Sequence, residues 1–245
     1  MPYLQDQAEE SCREVPCPNL HERKIQLATG DLEIAVIRSD FLLEDLCDFA
    51  ARRNPKRGFL FVSKVLGRHL PARPSAMREV HRRLAGKIPS DLPGPIAIIG
   101  FAETAICLGQ GVHSWYLSRT GREDVLFIHT TRHRIDHPAA FEFLEEHSHA
   151  AQHLIYMPRR WADRDLLEKA RSVVLVDDEV STGGTFVNLA KALSDFNVCL
   201  ERALCLTVTD WRGRRRSAAA RRGELEDLAA EWSRPSGSRA AAVNY

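Results

Sequence analysis

The chain has 245 residues, of which 44% are hydrophobic, 27% charged and 7% aromatic, with a formal net charge of +1. That length is enough to bury a substantial core, in one large domain or in a domain with appendages, and the near-neutral balance excludes bulk attraction to nucleic acid or an anionic membrane, leaving only local basic clusters to supply it. No stretch approaches the roughly 18 apolar residues that a spanning helix requires, and the first thirty residues lack the apolar segment of a secretory signal, so a soluble, cytoplasmic protein is expected.

Residues 1–30 are polar and expected to be poorly ordered. From Asp31 to Cys47 the stretch "DLEIAVIRSDFLLEDLC" predicts a short strand, then a helix opening near Ser39 or Asp40, both good N-caps. A strand over Phe59–Ser63 follows, then a basic loop closed by prolines, a helix over Ala76–Leu84 and the turn "PSDLPG". Beyond it short apolar runs alternate with helical stretches. The runs are "PIAIIG" (95–100), "DVLFIH" (124–129), "HLIYM" (153–157), "SVVLV" (172–176) and "ALCLTV" (203–208). A helix passes through Ala105 to Leu108, and Phe186, Leu189, Ala190 and Leu193 mark one face of another behind the fourth run. Continuous apolar strands alternating with helices predict a mostly parallel sheet covered on both faces, an α/β fold. After Asp210 the chain carries eight arginines against four acidic residues, as a solvated tail or as an arm for RNA or a partner.

Six cysteines (Cys12, Cys17, Cys47, Cys107, Cys199 and Cys205) are sparse and lack C-x2-C spacing. Cys12, Cys17 and His21 supply too few ligands to close a zinc site alone. Cys107, Cys199 and Cys205 sit in apolar stretches, where buried thiols are expected.

The densest chemistry is in "VVLVDDEVSTGGTF" (173–186). Ligands of open α/β sheets bind beyond the carboxyl ends of the strands, where Asp177 and Asp178 lie. The turn after them leads into a helix, whose N-terminal amides and dipole receive phosphate. Gly183 and Gly184 allow close backbone approach, while Ser181, Thr182 and Thr185 add hydroxyl donors. Ionised aspartates accept hydrogen bonds from sugar hydroxyls. A phosphate cradle beside two hydroxyl acceptors describes a site for a ribose 5-phosphate; the plainer reading, a helix cap and a turn, accounts for one acid and one glycine only. The stretch lacks the G-x4-G-K of a nucleoside-triphosphate loop.

This stretch resembles the phosphoribosylpyrophosphate (PRPP)-binding signature of the type I phosphoribosyltransferases. The resemblance implies a Rossmann-like core (95–210) under an N-terminal hood (31–94), with 211–245 as a tail. It implies that Asp177 and Asp178 hold the ribose 2- and 3-hydroxyls and that Ser181, Thr182, Gly183, Gly184 and Thr185 bind the 5-phosphate. Gly100, Phe101, Ala102, Glu103 and Thr104 take the place of the pyrophosphate loop. The region from His129 to His153 takes the place of a lid, with Arg132, His133 and Arg134 for phosphate charge and Glu145, His147 and His149 for proton transfer; solvated histidines and a metal site are the other readings of that region. Lys64, Arg68, His69 and Arg73 cluster at the end of a strand, in a segment that the resemblance implies to be the acceptor-recognising hood; a basic surface loop is the other reading. Mg2+ bridged through PRPP near Asp177 and Asp178, rather than bound in a protein cage, and a homodimer are implied as well. In order, "NPKRGFLFVSKVLGRHLPARPS", "GFAETA", "HTTR", "EEHSHA" and "VLVDDEVSTGGT" are similar to the orotate-phosphoribosyltransferase-like proteins associated with tellurite-resistance and stress-response operons. A sensor of PRPP that regulates RNA or DNA is the other function on this fold. Glu179 departs from the family pattern, which has an apolar residue there.

Overall fold

The structure, a computed structural model, describes residues 21–36, 39–54, 58–136, 139–144, 152–196 and 198–211. Two hairpins come first. β1 (His21–Leu27) pairs antiparallel with β2 (Gly30–Val36), and after the single helical turn α1 (Leu43–Leu46), β3 (Cys47–Ala51) pairs antiparallel with β4 (Phe59–Ser63). Helix α2 (Pro74–Gly86) opens on a proline, which costs no backbone bond in the first turn.

The core then runs β5 (Ile96–Gly100), α3 (Ile106–Thr120), β6 (Val125–His129), β7 (Ala139–Leu144), β8 (Gln152–Tyr156), α4 (Trp161–Glu168), β9 (Ser172–Val180), α5 (Gly184–Asp195) and β10 (Arg202–Asp210). Four of these strands form one parallel sheet in the order β10-β9-β5-β6. Side chains alternate across it with period two. Ile96 and Ile98 of β5, Val174 and Val176 of β9, and Leu204 and Leu206 of β10 join one core with Val80 and Leu84 of α2 and Leu108, Val112 and Tyr116 of α3. Ala97, Ile99, Val173 and Leu175 face the opposite core with Leu167 of α4 and Phe186, Leu189 and Leu193 of α5. Burial on both faces explains why these strands are continuously apolar in sequence.

Several expectations need correction. Only four of the five apolar runs enter the parallel sheet, because "HLIYM" belongs to β8, which pairs antiparallel with β7. An apolar run reports burial and not a partner, and a short connection favours the antiparallel neighbour. The helix expected from Ser39 shrinks to one turn: Ser39 is spent in a local turn, accepting from the Phe41 N–H at 3.2 Å and donating to its carbonyl at 2.6 Å. The residues beyond it become β3, set against β4 with Phe49 edge-on to Phe61. β1 occupies the end of the segment expected to be poorly ordered; residues 1–20 and 212–245, with Cys12 and Cys17, lie outside the described residues. Cys107 and Cys199 are exposed, whereas Cys47 is buried. α3 turns Leu108, Val112 and Tyr116 inward and Cys107 outward, and Cys199 sits between the buried Val198 and Leu200.

The two hairpins pack on each other through Ile34, Cys47 and Phe61, with Trp211 against them. Trp211 directly follows β10, its N–H donates to the Val180 carbonyl at 2.9 Å, and its ring stacks on Phe61 with centroids 3.5 Å apart. The hood is thereby fastened over the carboxyl ends of β9 and β10. Among the described residues no helix is long and apolar enough to cross a membrane.

Candidate active site

The carboxyl edge of the sheet is stepped. β5 ends at Gly100, level with Val176 of β9 and His129 of β6. β9 runs four residues further, to Val180, paired there with β10 alone through Asp177 opposite Thr207 and Glu179 opposite Thr209. The three carboxylates thus lie within an overhanging strand rather than after its end. Their backbone is held by β10, which leaves the side chains half-buried at the crevice where β5 turns away. This is the crevice in which open α/β sheets bind ligands.

Two strand-to-helix loops meet there. The loop 101–105 leaves β5 with the Phe101 N–H donating to the Val176 carbonyl at 3.0 Å, and the Ala102–Glu103 peptide within it is cis. Thr104 Oγ1 donates to Asp178 Oδ1 at 3.0 Å, joining this loop to the carboxylates. Asp177 Oδ1 accepts from the Asp178 N–H at 2.9 Å, and Thr209 Oγ1 donates to the Asp178 carbonyl at 3.2 Å. On the other side, residues 181–183 lead into α5. Gly183 adopts φ +87°, a left-handed conformation that suits glycine, and no side chain caps the helix behind it. Beyond Gly184, whose N–H meets Thr182, the first-turn amides of α5 face an anion site aided by the helix dipole. Thr182 Oγ1 is turned toward them, accepting from the Gly184 N–H at 3.3 Å, while Ser181 is exposed and Thr185 half-buried.

Glu103 gathers two nearby basic side chains. It pairs with Arg68, from the basic segment after β4, and its Oε1 lies 3.5 Å from His133 Nε2. Other members of the predicted constellation are engaged elsewhere. Lys64 Nζ pairs with Asp48 Oδ1 at 2.7 Å and donates to the Glu44 carbonyl at 2.9 Å, within the hood. Arg134 is committed to the β7–β8 hairpin through Glu142 and Gln152. His69 is exposed, Arg73 precedes the first residue of α2, and Arg132 is half-buried just beyond β6. Phe101 is 1% exposed and packs edge-on against Phe143, Phe186 and His153, so its side chain belongs to the core and only its backbone faces the crevice. Glu145, His147 and His149 lie outside the described residues. Among the described residues, no three or more His, Cys, Asp or Glu side chains converge as a metal cage.

Sequence reasoning missed Thr130. It is fully buried; its Oγ1 accepts from the Ala102 N–H at 2.8 Å and lies 3.0 Å from His153 Nδ1. A hydroxyl immediately after an apolar strand, as in "IHTT", was the available signal. Thr130→Val keeps the shape but takes away the acceptor of the buried Ala102 N–H, at a cost of about 1–3 kcal/mol, and with it the contact to His153 Nδ1. Urea unfolding is expected to show a loss of that size, with Thr130→Ser recovering most of it; a neutral Thr130→Val contradicts the role given to this hydroxyl.

An α/β sheet with a helix N-terminus at its crevice, a second strand-to-helix loop and paired aspartates between them is an arrangement that suits a phosphorylated sugar. Comparison with known proteins makes this specific: residues 46–233 match the family model described as phosphoribosyl transferase, and the chain belongs to that family. The match takes in much of the arginine-rich segment after Trp211. No curated protein matches the sequence. Among solved structures, the adenine phosphoribosyltransferase of Leishmania donovani aligns with a TM-score of 0.52 at 13% identity, over 82% of this chain and 77% of that one. That of Thermoanaerobacter pseudethanolicus gives 0.49 at 16% identity, over 82% and 96%. That of Trypanosoma brucei, in complex with AMP, pyrophosphate and ribose-5-phosphate, gives 0.48 at 12% identity, over 91% and 86%. At such identities the likeness concerns the fold: a parallel sheet flanked by helices, as type I phosphoribosyltransferases have. Phosphoribosyl transfer is the activity of the family.

Proposed function

We propose that this chain binds PRPP and transfers its phosphoribosyl group to a nitrogen nucleophile of a base-like small molecule. The new N–C1 bond forms as the C1–O bond breaks, the bonding pair leaves with pyrophosphate, and the nucleophile's proton passes to a base or to solvent. The carrying observation is the Thr104–Asp178 hydrogen bond at 3.0 Å, which sets the loop proposed for pyrophosphate directly against the carboxylates proposed for ribose. A ligand gripped by both has its anomeric carbon between them, and positioning of that kind supplies much of the catalysis.

In this reading the α5 N-terminus with Ser181, Thr182, Gly183, Gly184 and Thr185 takes the 5-phosphate, and Asp177 and Asp178 orient the ribose hydroxyls. Residues 100–104 face pyrophosphate, with the Thr104 hydroxyl and the amides beyond Ala102 as donors, since the Phe101 and Ala102 N–H groups are bonded to Val176 and Thr130. Arg68 and His133, held near the loop by Glu103, turn to the leaving group's charge, with Arg132 close behind. Glu145, His147 and His149 are proposed for proton transfer, and Lys64, Arg68 and His69 for the acceptor side of the hood. The hard carboxylate oxygens of Asp177 and Asp178 suit Mg2+ carried in by PRPP, where the ion would neutralise the departing pyrophosphate. A homodimer, a cytoplasmic location, residues 31–210 as the transferase unit with 211–245 as its tail, and a part in tellurite-resistance or stress-linked nucleoside-like biosynthesis complete the proposal.

The test is direct: the full chain is incubated with Mg2+, PRPP and a panel of bases, and pyrophosphate is assayed. Base-dependent release is expected. PRPP binding without release for any base would instead mark a PRPP sensor, and absence of PRPP binding would remove both readings.

A further inference from the structure

Glu103 is an acid in a loop proposed to meet a polyanion. It stands between the buried Ala102 and Thr104, whose hydroxyl bonds Asp178, so its backbone is fixed beside the crevice. Its two carboxylate oxygens are divided between two other segments of the chain. Oε2 pairs with Arg68 Nη2, from the segment after β4 and 35 positions earlier, and Oε1 lies 3.5 Å from His133 Nε2, from the segment after β6. Both partners have a held backbone. Val65 and Leu66 are buried in the core of α2 and α3, and Gly67, at φ +67° in the left-handed region, turns the chain just before Arg68. The His133 N–H donates to Thr131 Oγ1 at 3.1 Å and its carbonyl accepts from the Tyr156 hydroxyl at 3.3 Å. Both side chains reach solvent, 46% exposed for Arg68 and 80% for His133, so each has room to swing.

The loop spends much of its backbone on itself and the sheet. Besides the Phe101 and Ala102 N–H groups, that of Ala105 is bonded, to the Phe101 carbonyl at 3.0 Å. Much of the compensating charge for a pyrophosphate must then come from side chains, and Arg68 and His133 are the basic groups that Glu103 holds beside the loop. Lys64 and Arg134 are paired elsewhere, with Asp48 and Glu142. An arriving pyrophosphate therefore competes with the Glu103 carboxylate for the same donors. Having won them, it faces a like charge at close range, which is unfavourable. The ligand still prevails, because a half-exposed ion pair contributes little in water, whereas phosphate offers a guanidinium two parallel charge-assisted bonds. Its margin is smaller than it would be without Glu103.

We infer that Glu103 is a resident competitor for pyrophosphate: it holds Arg68 and His133 in the empty site, yields them to the pyrophosphate end of PRPP, and takes them back after transfer so that the product leaves. This rests on the phosphoribosyl-transfer reading. Glu103 is a positioning residue, acting through the two basic side chains and not on the reacting atoms. A grip on pyrophosphate that is equally strong before and after transfer does not speed the chemical step, and it delays product release. The effect is confined to one end of the ligand, since the groups proposed for ribose and 5-phosphate do not include Glu103 or its two partners.

The experiment titrates the full chain in Mg2+ with pyrophosphate, PRPP and ribose 5-phosphate by calorimetry. The proteins are the parent, Glu103→Gln, Arg68→Ala and the double variant, each checked by a thermal melt. Glu103→Gln is expected to fold like the parent and to bind pyrophosphate and PRPP about three- to tenfold more tightly, with ribose 5-phosphate affinity held within about twofold. Arg68→Ala is expected to weaken pyrophosphate binding by about threefold or more, and without Arg68 the gain from Glu103→Gln is expected to shrink. Unchanged or weaker pyrophosphate binding in Glu103→Gln overturns the inference. So does an equal gain for ribose 5-phosphate, an equal gain with and without Arg68, or unfolding of either single variant, which marks the pair as structural. Failure of the parent protein to bind PRPP overturns the phosphoribosyl reading itself and this inference with it.

Discussion

Replacing Asp177 and Asp178 together by asparagine is expected to weaken PRPP binding by at least about a hundredfold while leaving the protein folded. Hydrogen bonds to a charged acceptor contribute about 1.5–3 kcal/mol each, and two aspartates facing two sugar hydroxyls place the combined loss at about 3–6 kcal/mol if they act independently. Asparagine keeps the side-chain oxygen that Thr104 Oγ1 and the Asp178 N–H now donate to, so the link between the loops survives and the change is confined to charge. Calorimetric titration of PRPP in Mg2+, beside a thermal melt that matches the parent, separates the two effects. Unchanged affinity would sink the assignment of these residues to the ribose.

Gly100→Ala is expected to damage stability and ligand binding at once. A Cβ on Gly100 would lie 2.8 Å from the Ala105 carbonyl oxygen and 3.5 Å from Ile106 Cα. Both neighbours are backbone, so no rotamer change relieves the clash. From the other side Gly109 of α3 comes equally close, since its own added Cβ would stand 3.0 Å from Gly100 Cα. The end of β5 and the start of α3 are thus pressed together, and a methyl group between them must push α3 and the 101–105 loop off the sheet. Overpacking of this sort costs about 1–3 kcal/mol, and displacement of Thr104 from Asp178 should lower PRPP affinity by about tenfold, a typical penalty for small misplacements in a preorganised site. Gly86→Ala is the matched control: nothing lies within 4 Å of its added Cβ at the end of α2, and alanine there should be neutral or mildly stabilising. Equal effects of the two substitutions in denaturant unfolding would refute the packing argument.

The hood shows how the tertiary structure reassigned a segment whose local signals pointed elsewhere. "SDFLLEDLCDFAA" carries helical spacing and two N-cap candidates, Ser39 and Asp40, yet only four residues are helical. Cys47–Ala51 become a strand because Phe59–Ser63 offer a five-residue ladder and an aromatic cluster around Phe61. Tertiary pairing of that kind routinely overrides local propensity. The β7–β8 hairpin is a similar case: "HLIYM" was legible as buried, but its partner "AAFEFL" lay unrecognised.

What the sequence determined by itself was local. The alternation of apolar runs with helices, the two aspartates, and the glycine and hydroxyl turn each follow from chemistry within a dozen residues, where periodicity and turn propensity act. Tertiary structure alone decided which loops face each other. Thr104 and Asp178 are 74 positions apart and bonded; Thr130 steadies the loop at Ala102 from just beyond the end of β6. Glu179, an anomaly in the linear motif, has a surrounding only once β9 overhangs β5 and the hairpins, clamped by Trp211, close over it. Contacts between distant segments depend on strand order and overhang, which no local pattern encodes.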